Sequence, residues 1–292
     1  MDEMKLRMIL LSLAAGAVLC GQQSGGGALT ARQVIERIQA HVGVPWHKET
    51  VDTFKAGDPE TRVTGIATTM MATYDVLVRS AAAGKNLIIT HEPTFYSHLD
   101  RTEAFEKEHD PVWEEKERFI KEHNLVVWRF HDHWHLMKPD GIMFGVVRAL
   151  EWQKFQNPTE PSVFVVPEMT VAQLAEQMKK RLGIHVLRFV ANPDMKITKV
   201  GLAPGASGPE RHRKLLQRDD VEVLAIGEVP EWETIEYVTD AVSEGKKKAL
   251  ILLGHIPSEQ PGMEYCAEWL KTFVSEVPVE FIATREPFLL AK

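Results

Sequence analysis

The spacing of apolar residues predicts a helix at the start of the folded chain. Val34, Ile38 and Val42 recur every four residues, which places them on one face of an α-helix. Thr30 precedes this run and has a glutamine three residues after it, the spacing of a capping box. We therefore predict a first helix that ends near residue 41.

Short apolar runs then alternate with amphipathic ones. Residues 63–69 and 87–90 predict strands, and residues 72–83 predict the helix between them, so the three form a βαβ unit. The run 87–90 is apolar up to its last residue, which is typical of a strand buried on both faces. The same reading predicts helices at 103–108, 112–123 and 141–150, and a strand at 125–130.

A break separates this half of the chain from a second one. Residues 153–161 contain two prolines and no apolar period, which predicts a boundary. Beyond it the alternation of strands and helices resumes. Strands are predicted at 163–166, 186–190, 198–202, 221–226, 249–253 and 279–283, and helices at 171–182, 232–243 and 262–274.

This order of elements predicts an α/β fold. Strands that alternate with helices of this size form largely parallel sheets covered by helices on both faces. We predict two α/β lobes. Residues 29–155 together with 230–292 would form one lobe, and residues 160–229 would form the other.

Three histidines follow the strand predicted at 125–130. On an extended backbone, residues two apart share a face, so His131, His133 and His135 would point into one space, with Asp132 on the other side. The alternative for any one of them is a polar strand end whose histidines meet solvent or satisfy hydrogen bonds in the core. Because histidine is the commonest metal ligand near neutral pH, three in five residues favour a metal or catalytic role.

Two buried strands elsewhere also end in a histidine that is followed two residues later by proline. These histidines are His91 and His255, one in each half of the chain. Glu92 and Glu259 add carboxylates at the same level. Ligands bind at the carboxyl ends of strands in α/β sheets, so these side chains stand where a site would form.

The resulting set of candidate metal ligands contains nitrogen and oxygen donors and no thiolate: His91, Glu92, His135, His255 and Glu259. Such a set favours zinc, iron or manganese. Five protein ligands are more than one catalytic metal usually takes, whereas a carboxylate shared between two metals would use them all. We therefore predict two divalent ions.

These residues resemble a known family, the Nif-three-like dinuclear-metal proteins, also named GTP cyclohydrolase type-two homologues. Its Thr-His-His-Pro motif falls on residues 90–93, with Glu92 in place of the second histidine. Its His-Thr-Asn-Leu-Asp motif falls on residues 131–135, with His135 in place of the aspartate, and Asp140-Gly141 matches the turn that follows. The Gly-Glu and Gly-His-x-x-x-Glu motifs are intact at residues 227–228 and 254–259.

The similarity extends from Thr30 to Pro287. It implies a two-domain α/β subunit, a metal-holding cleft between the domains, and a homo-hexamer built of two trimers packed face to face. One ligand has changed from histidine to carboxylate and another from carboxylate to histidine. This exchange keeps the number of ligands and nearly the same charge, which a retained metal site requires.

Two functions are compatible with such a site. The first is a metal-dependent hydrolase that attacks a phosphoester, nucleotide or cyclic amide through a metal-bound hydroxide, with His131 or His133 as a proton shuttle. The second is a non-enzymatic metal-binding or metal-delivery protein. A nucleic-acid partner is not expected, because the net charge is -7 and the isoelectric point is near 6.0.

The first residues have the features of an export signal. Lys5 and Arg7 precede the apolar run 8–19, which is too short to span a bilayer permanently, and a glycine-rich tether follows. Cys20 directly after the run resembles the acylated cysteine of a bacterial lipoprotein. We predict that residues 1–28 are a signal peptide and tether, and that the mature protein is periplasmic or membrane-anchored. A plain exported protein is the alternative.

Overall fold

The computed structural model describes residues 29–291. The signal segment and Cys20 lie outside this range, so export and acylation stay predictions. Within the range, no helix combines the length and the apolar character needed to cross a membrane.

Five strands form the first sheet: β1 (Phe54–Ala56), β2 (Ile66–Thr69), β3 (Leu87–Thr90), β4 (Val126–Arg129) and β10 (Val279–Phe281). They lie side by side in the order β1-β4-β3-β2-β10. The last four of these are parallel, whereas β1 is an antiparallel edge strand. The three central strands are buried along their whole length, as their apolar composition predicts.

Five further strands form the second sheet: β5 (Val163–Thr170), β6 (Arg188–Val190), β7 (Lys196–Ala203), β8 (Val223–Ile226) and β9 (Ala249–Leu252). Their order is β5-β7-β8-β9-β6. The three central strands are parallel and both edge strands are antiparallel. The predicted α/β class with largely parallel sheets is therefore confirmed.

Strand β9 corrects the predicted division of the chain. Residues 230–292 were assigned to the first lobe, but β9 pairs with β8 in the second sheet. A parallel pair needs a crossover connection, and the helix at residues 236–243 provides it. The chain returns to the first sheet only after β9, through its last long helix and β10.

The described helices are α1 (Ala31–His41), α2 (Tyr74–Ala82), α3 (Glu103–Glu108), α4 (Pro111–Glu122), α5 (Asp132–Leu136), α6 (Gly141–Leu150), α7 (Val171–Leu182), α8 (Pro209–Leu216), α9 (Glu236–Ser243) and α10 (His255–Leu270). The predicted capping box begins α1, since Thr30 and Gln33 bond to each other's backbone N–H. A 3₁₀ turn (Gln153–Phe155) and a π-helical turn (Glu231–Ile235) complete the set.

The largest apolar core lies between the two sheets. It joins the inner face of each sheet to α1, α6, α7 and α10. The outer face of the first sheet packs against α2 and α4, and that of the second packs against α8 and α9. Alternate residues of one strand serve both cores, as Leu87 and Ile89 face inward while Ile88 faces outward.

Helices α6 and α10 cross so closely that only glycine fits at the contact. A Cβ added at Gly145 would lie 2.4 Å from the carbonyl oxygen of Pro261 and 2.5 Å from the Cα of Gly262. Both are backbone atoms, so the helices would have to separate. The contact therefore depends on the absence of a side chain at this position.

We expect Gly145→Ala to lower the free energy of unfolding. Overpacking of a core costs roughly 1–3 kcal/mol. The gain in helix propensity from glycine to alanine offsets only about 1 kcal/mol of it. Urea denaturation measures the difference, with Glu176→Ala on the exposed face of α7 as a control expected to stay within about 0.5 kcal/mol of the parent. A Gly145→Ala protein as stable as the parent would contradict the prediction.

Two elements differ from the sequence prediction near the candidate site. The backbone does not stay extended through the alternating histidines, because it turns into the short helix α5. Helix α10 begins at His255, seven residues before the predicted start at 262. His255 and Glu259 are therefore four residues apart on one helix, and they share a face.

Candidate metal centre

The carboxyl ends of strands from both sheets meet at one place. His91 and Glu92 directly follow β3, and His131 follows β4 at the start of α5. From the second sheet, β9 leads into α10, which presents His255 and Glu259. Ligand sites form at such strand ends in α/β proteins, and here two sheets contribute to one.

Three histidines form the first candidate ligand group. One nitrogen atom from each of His91, His131 and His135 lies within 4.8 Å of the others. The ring of His91 is stacked on that of His131, with centroids 4.6 Å apart, and His135 stands edge-on to both. His131 immediately precedes α5 and His135 lies one helical turn later, so both rings are on the side of the helix that faces His91.

The second candidate ligand group combines His91 with two glutamates. Atoms of His91, Glu92 and Glu259 also lie within 4.8 Å of one another. His255 adjoins this group, because its Nε2 is 3.3 Å from Glu92 Oε1 and 3.2 Å from Glu259 Oε2. The predicted ligands His91, Glu92, His135, His255 and Glu259 therefore lie together, and His131 lies among them.

All four histidines of these groups are held through Nδ1. His91 donates to the Phe130 carbonyl oxygen at 3.1 Å, and His131 donates to Asp132 at 2.9 Å. His135 likewise donates from Nδ1 to Asp140 at 3.0 Å, and His255 donates from Nδ1 to Glu228 at 3.1 Å. Metal-binding histidines typically use one ring nitrogen in this way, which fixes the ring and leaves Nε2 for the ion.

The donor atoms fit a divalent cation. His91 Nε2 is completely buried and has no hydrogen-bond partner among residues 29–291, which is costly for a polar atom unless something else binds there. Imidazole nitrogen and carboxylate oxygen together suit zinc, iron or manganese. The two groups are therefore candidate ligand sets for metal ions.

The pKa values of His91 and His255 are shifted in opposite directions from the ordinary histidine value. Burial, together with the nearby His135 and His131, holds the pKa of His91 well below its ordinary value. Burial also opposes protonation of His255, but hydrogen bonds to Glu228, Glu259 and Glu92 outweigh it and raise the pKa to about 12. At neutral pH the metal-free protein therefore has a neutral His91 and a protonated His255.

We expect metal uptake to release protons at pH 7. Histidine binds a metal only when the coordinating nitrogen is deprotonated, so an ion at His255 Nε2 must displace the proton that the glutamates stabilise. About one proton or more per chain should appear when zinc is added in weak buffer with a pH indicator. His255→Gln should release about one proton fewer, whereas uptake without proton release would contradict this assignment.

Glu92 accepts a hydrogen bond from a buried arginine, through the carboxylate oxygen that does not face His255. Arg129 donates to Glu92 Oε2 at 3.2 Å, and also to the carbonyl oxygens of His91 at 3.0 Å and His98 at 2.6 Å. Burial raises the pKa of Glu92, but the His255 hydrogen bond and nearby cations lower it overall. The carboxylate is therefore charged, with Oε1 directed toward His255 and His131.

Asp140 supports both the site and the fold. Its Oδ2 accepts the bond from His135, and its Oδ1 caps α6 by accepting the Met143 N–H at 3.0 Å. We expect Asp140→Asn to weaken metal binding by roughly ten- to a hundred-fold, because the ring loses its charged partner. Asparagine caps helices as well as aspartate, so stability should change little.

Competition with a chromophoric chelator measures the affinity of this variant. Asp110→Asn is the matched control, since Asp110 caps α4 through the N–H groups of Val112 and Trp113 and belongs to neither candidate ligand group. Equal metal affinity in both variants would show that Asp140 does not orient His135.

His133 is not brought to the site. Its ring is fully buried, donates from Nδ1 to Asp52 at 2.7 Å and accepts the His47 N–H at Nε2 at 2.9 Å. It also stacks on Trp46, with centroids 3.6 Å apart. With both nitrogens occupied it has neither a free ligand atom nor a free proton acceptor, so the predicted shuttle role does not fit its position.

Asp52 explains why the histidine stretch is helical. Its carboxylate accepts the backbone N–H groups of His131 at 2.6 Å, Asp132 at 3.0 Å and His133 at 2.9 Å. A carboxylate at this position satisfies the free N–H groups of a helix start. Sequence reasoning missed Asp52, since it lies almost 80 residues from α5. It also missed the positioning role of Arg129. The sequence indicates that role only through the presence of a charged residue within an apolar strand.

The fold and the site define an α/β protein with a candidate metal centre at which two sheets meet. The family model Duf34/NIF3 (NGG1p interacting factor 3) matches residues 31–287. The chain belongs to this family, which confirms the resemblance found in the motifs.

Curated relatives have a shared name. The GTP cyclohydrolase 1 type 2 homolog of Clostridium perfringens is 23% identical over 240 residues, 79% of this chain and 86% of the relative. The protein of the same name from Campylobacter jejuni is 22% identical over 212 residues, 71% of this chain and 77% of the relative.

Solved structures have the same fold. A Staphylococcus aureus hypothetical protein superposes with a TM-score of 0.70 at 17% identity, covering 90% of this chain and 100% of the other. A Bacillus cereus protein related to NIF3 superposes with a TM-score of 0.68 at 13% identity and the same coverage. At these identities the likeness concerns the fold alone.

Proposed function

We propose that this protein binds two divalent metal ions and uses them to hydrolyse a phosphoester, a nucleotide or a cyclic amide. The observation that supports this most strongly is the common orientation of the four site histidines, each held at Nδ1 with Nε2 turned toward the others or toward the glutamates. Four rings prepared in this way at one strand-end cluster are difficult to explain without an ion.

The arrangement supports two ions rather than one. His91 has one free nitrogen and can bind one ion, with His131 and His135 as its partners. His255 lies on the other side of Glu259, whose Oε2 is 3.6 Å from His91 Nε2 and 3.2 Å from His255 Nε2. We assign Glu259 as the residue shared between the two ions, since its carboxylate is near a nitrogen atom of both histidines and can accept more than one partner.

Bound divalent ions lower the pKa of water and stabilise the attacking and leaving oxygens of a hydrolysis. The protein residues hold this centre in place. Arg129 holds the Glu92 carboxylate in place at the site, and Asp140 and Glu228 fix the His135 and His255 rings. The relatives' name, GTP cyclohydrolase 1 type 2 homolog, supports including nucleotides among the substrates to be tested.

Turnover by the metal-loaded chain tests this proposal. Zinc-, iron- and manganese-loaded samples would be assayed on a panel of phosphoesters, nucleotides and cyclic amides. We expect hydrolysis of at least one class, which should disappear in Glu259→Gln. Metal binding without turnover of any class would instead favour the alternative, a metal-binding or metal-delivery protein.

We also propose that the protein is exported and forms a homo-hexamer. The amino-terminal pattern with Cys20 supports export, and membership of the family supports the oligomer. Mass spectrometry of the native protein should find a mature chain that begins at or shortly after Cys20, and an unmodified Met1 would exclude this. Light scattering that reports a monomer of 33.0 kDa would exclude the hexamer.

A further inference from the structure

A cavity opens beside the metal centre on the side of the first sheet. Its volume is about 440 Å³, and its lining includes the metal-site residues Glu92 and His255. Its wall also contains Tyr74, Tyr96 and Lys116. We call it the Lys116 cavity. A molecule inside it would touch the metal ligands and these three side chains together.

Lys116 is an unusual residue to find in this wall. It is 3% exposed, and its ammonium group donates one hydrogen bond, to the Thr94 carbonyl oxygen at 2.5 Å. The rings of Phe95 and Tyr96 lie 5.6 and 5.3 Å from Nζ. No carboxylate among residues 29–291 forms an ion pair with it. An ammonium group has three donors, and burial of a charge is costly unless it is paired.

Lys116 has no carboxylate of its own. The charge of Asp100 acts on it, but Asp100 also pairs with two other cations. Asp100 lies 3.4 Å from Lys55 and 3.9 Å from Arg129, and Glu92 already faces His255. An anion in the cavity would therefore give Lys116 the partner that these carboxylates do not provide.

The loop that carries Tyr96 lines the cavity and is fixed by hydrogen bonds. Asp100 fixes it by accepting the N–H groups of Thr94 at 2.6 Å and Phe95 at 2.8 Å. Tyr96 adopts a left-handed backbone with φ of 51°, a costly conformation for a tyrosine, and its side chain is 56% exposed. With Tyr74 it offers aromatic surface beside the ammonium group, which suits a planar ring.

We propose that Lys116 anchors an oxyanion, either a phosphate or a carboxylate group, of a small ring-containing substrate whose other end reaches the metal centre. This inference rests on the proposed function and names the class of substrate. Burial lowers the pKa of Lys116 to about 8, so the side chain is mostly charged at pH 7, where an oxyanion would bind.

Calorimetric titration of the full zinc-loaded chain at pH 7 tests the anchor. The probes are phenyl phosphate, benzoate and the neutral benzyl alcohol. In Lys116→Met, we expect at least about tenfold weaker binding of the anionic probes, in line with the loss of a charged hydrogen bond, and no change for benzyl alcohol. The matched control is Lys121→Met, on the same helix but exposed and paired with Glu117, which should bind like the parent.

The two anions distinguish the sources of the oxyanion. Tighter binding of phenyl phosphate would assign a phosphoester, and tighter binding of benzoate would assign a carboxylate. Equal affinities in Lys116→Met and Lys121→Met, or no binding of either anion to the parent, would overturn the proposal. Zinc analysis of the same samples separates the two proposals, because a parent chain that takes up no zinc would overturn the metal centre, whereas a zinc-loaded chain that binds neither anion would overturn the anchor alone.

A second measurement does not depend on the variant folding. Brief acetylation of the parent chain, read by mass spectrometry, compares Lys116 with Lys121. Bound phenyl phosphate or benzoate should protect Lys116 at least about tenfold and leave Lys121 unchanged. Equal acetylation of Lys116 with and without the anions would overturn the proposal.

Discussion

Glu259→Ala is expected to empty at least one metal position while the chain stays folded. Glu259 lies between His91 Nε2 and His255 Nε2, at 3.6 and 3.2 Å, so its removal takes a ligand from both candidate ions. Together with Glu228 and Glu92, it also compensates the charge of His255. We expect metal content, measured by elemental analysis, to fall by half or more, and His255→Ala to have a similar effect.

The controls for this prediction separate binding from folding. Glu264→Ala lies on the same helix α10 but is exposed, and it should keep the full metal content. Glu259→Gln keeps the shape of the side chain and loses its charge, so it tests the bridge without leaving a cavity. The proposed cluster is wrong if Glu259→Ala and Glu264→Ala hold the same amount of metal.

Arg129→Met is expected to lower the free energy of unfolding by roughly 3–5 kcal/mol. The guanidinium group is fully buried and bonds to Glu92, to the His91 carbonyl oxygen and to the His98 carbonyl oxygen. Methionine fills much of the volume but leaves the Glu92 charge and two carbonyl oxygens without their donor. Breaking a buried ion pair from one side typically costs this much.

Urea denaturation of the metal-free protein measures this loss. The matched control is Arg148→Met, which removes an exposed ion pair with Glu268 and should cost at most about 1 kcal/mol. Arg129→Lys should fall between the two, because an ammonium group restores the charge but not the planar set of donors. If Arg129→Met costs no more than the control, Arg129 does not stabilise the site as described.

Local pattern was sufficient for most elements of the fold. Helices α6 and α7 begin and end where their apolar spacing predicts, because each buries one stripe of side chains against the core. Strand β3 also lies where it is predicted, since a short apolar run bounded by turns is typical of a buried strand. The sequence also placed His91 and His255 at strand ends, because ligand sites in α/β sheets occur at those ends.

Contacts between distant residues decided the rest. Whether residues 131–135 form a strand or a helix depends on Asp52, which is distant in the sequence. Its carboxylate caps α5 and accepts a hydrogen bond from the His133 ring. The sheet to which β9 belongs depends on its pairing with β8, which no local pattern encodes.

The spacing of apolar residues and the positions of strand ends are properties of a few neighbouring residues. The sequence by itself therefore determined the α/β class and most of the candidate ligands. The partner of a buried polar group is a property of the folded chain. Only the tertiary structure could show that His131 faces the site and His133 does not, because each ring nitrogen takes the nearest acceptor or donor that packing brings to it.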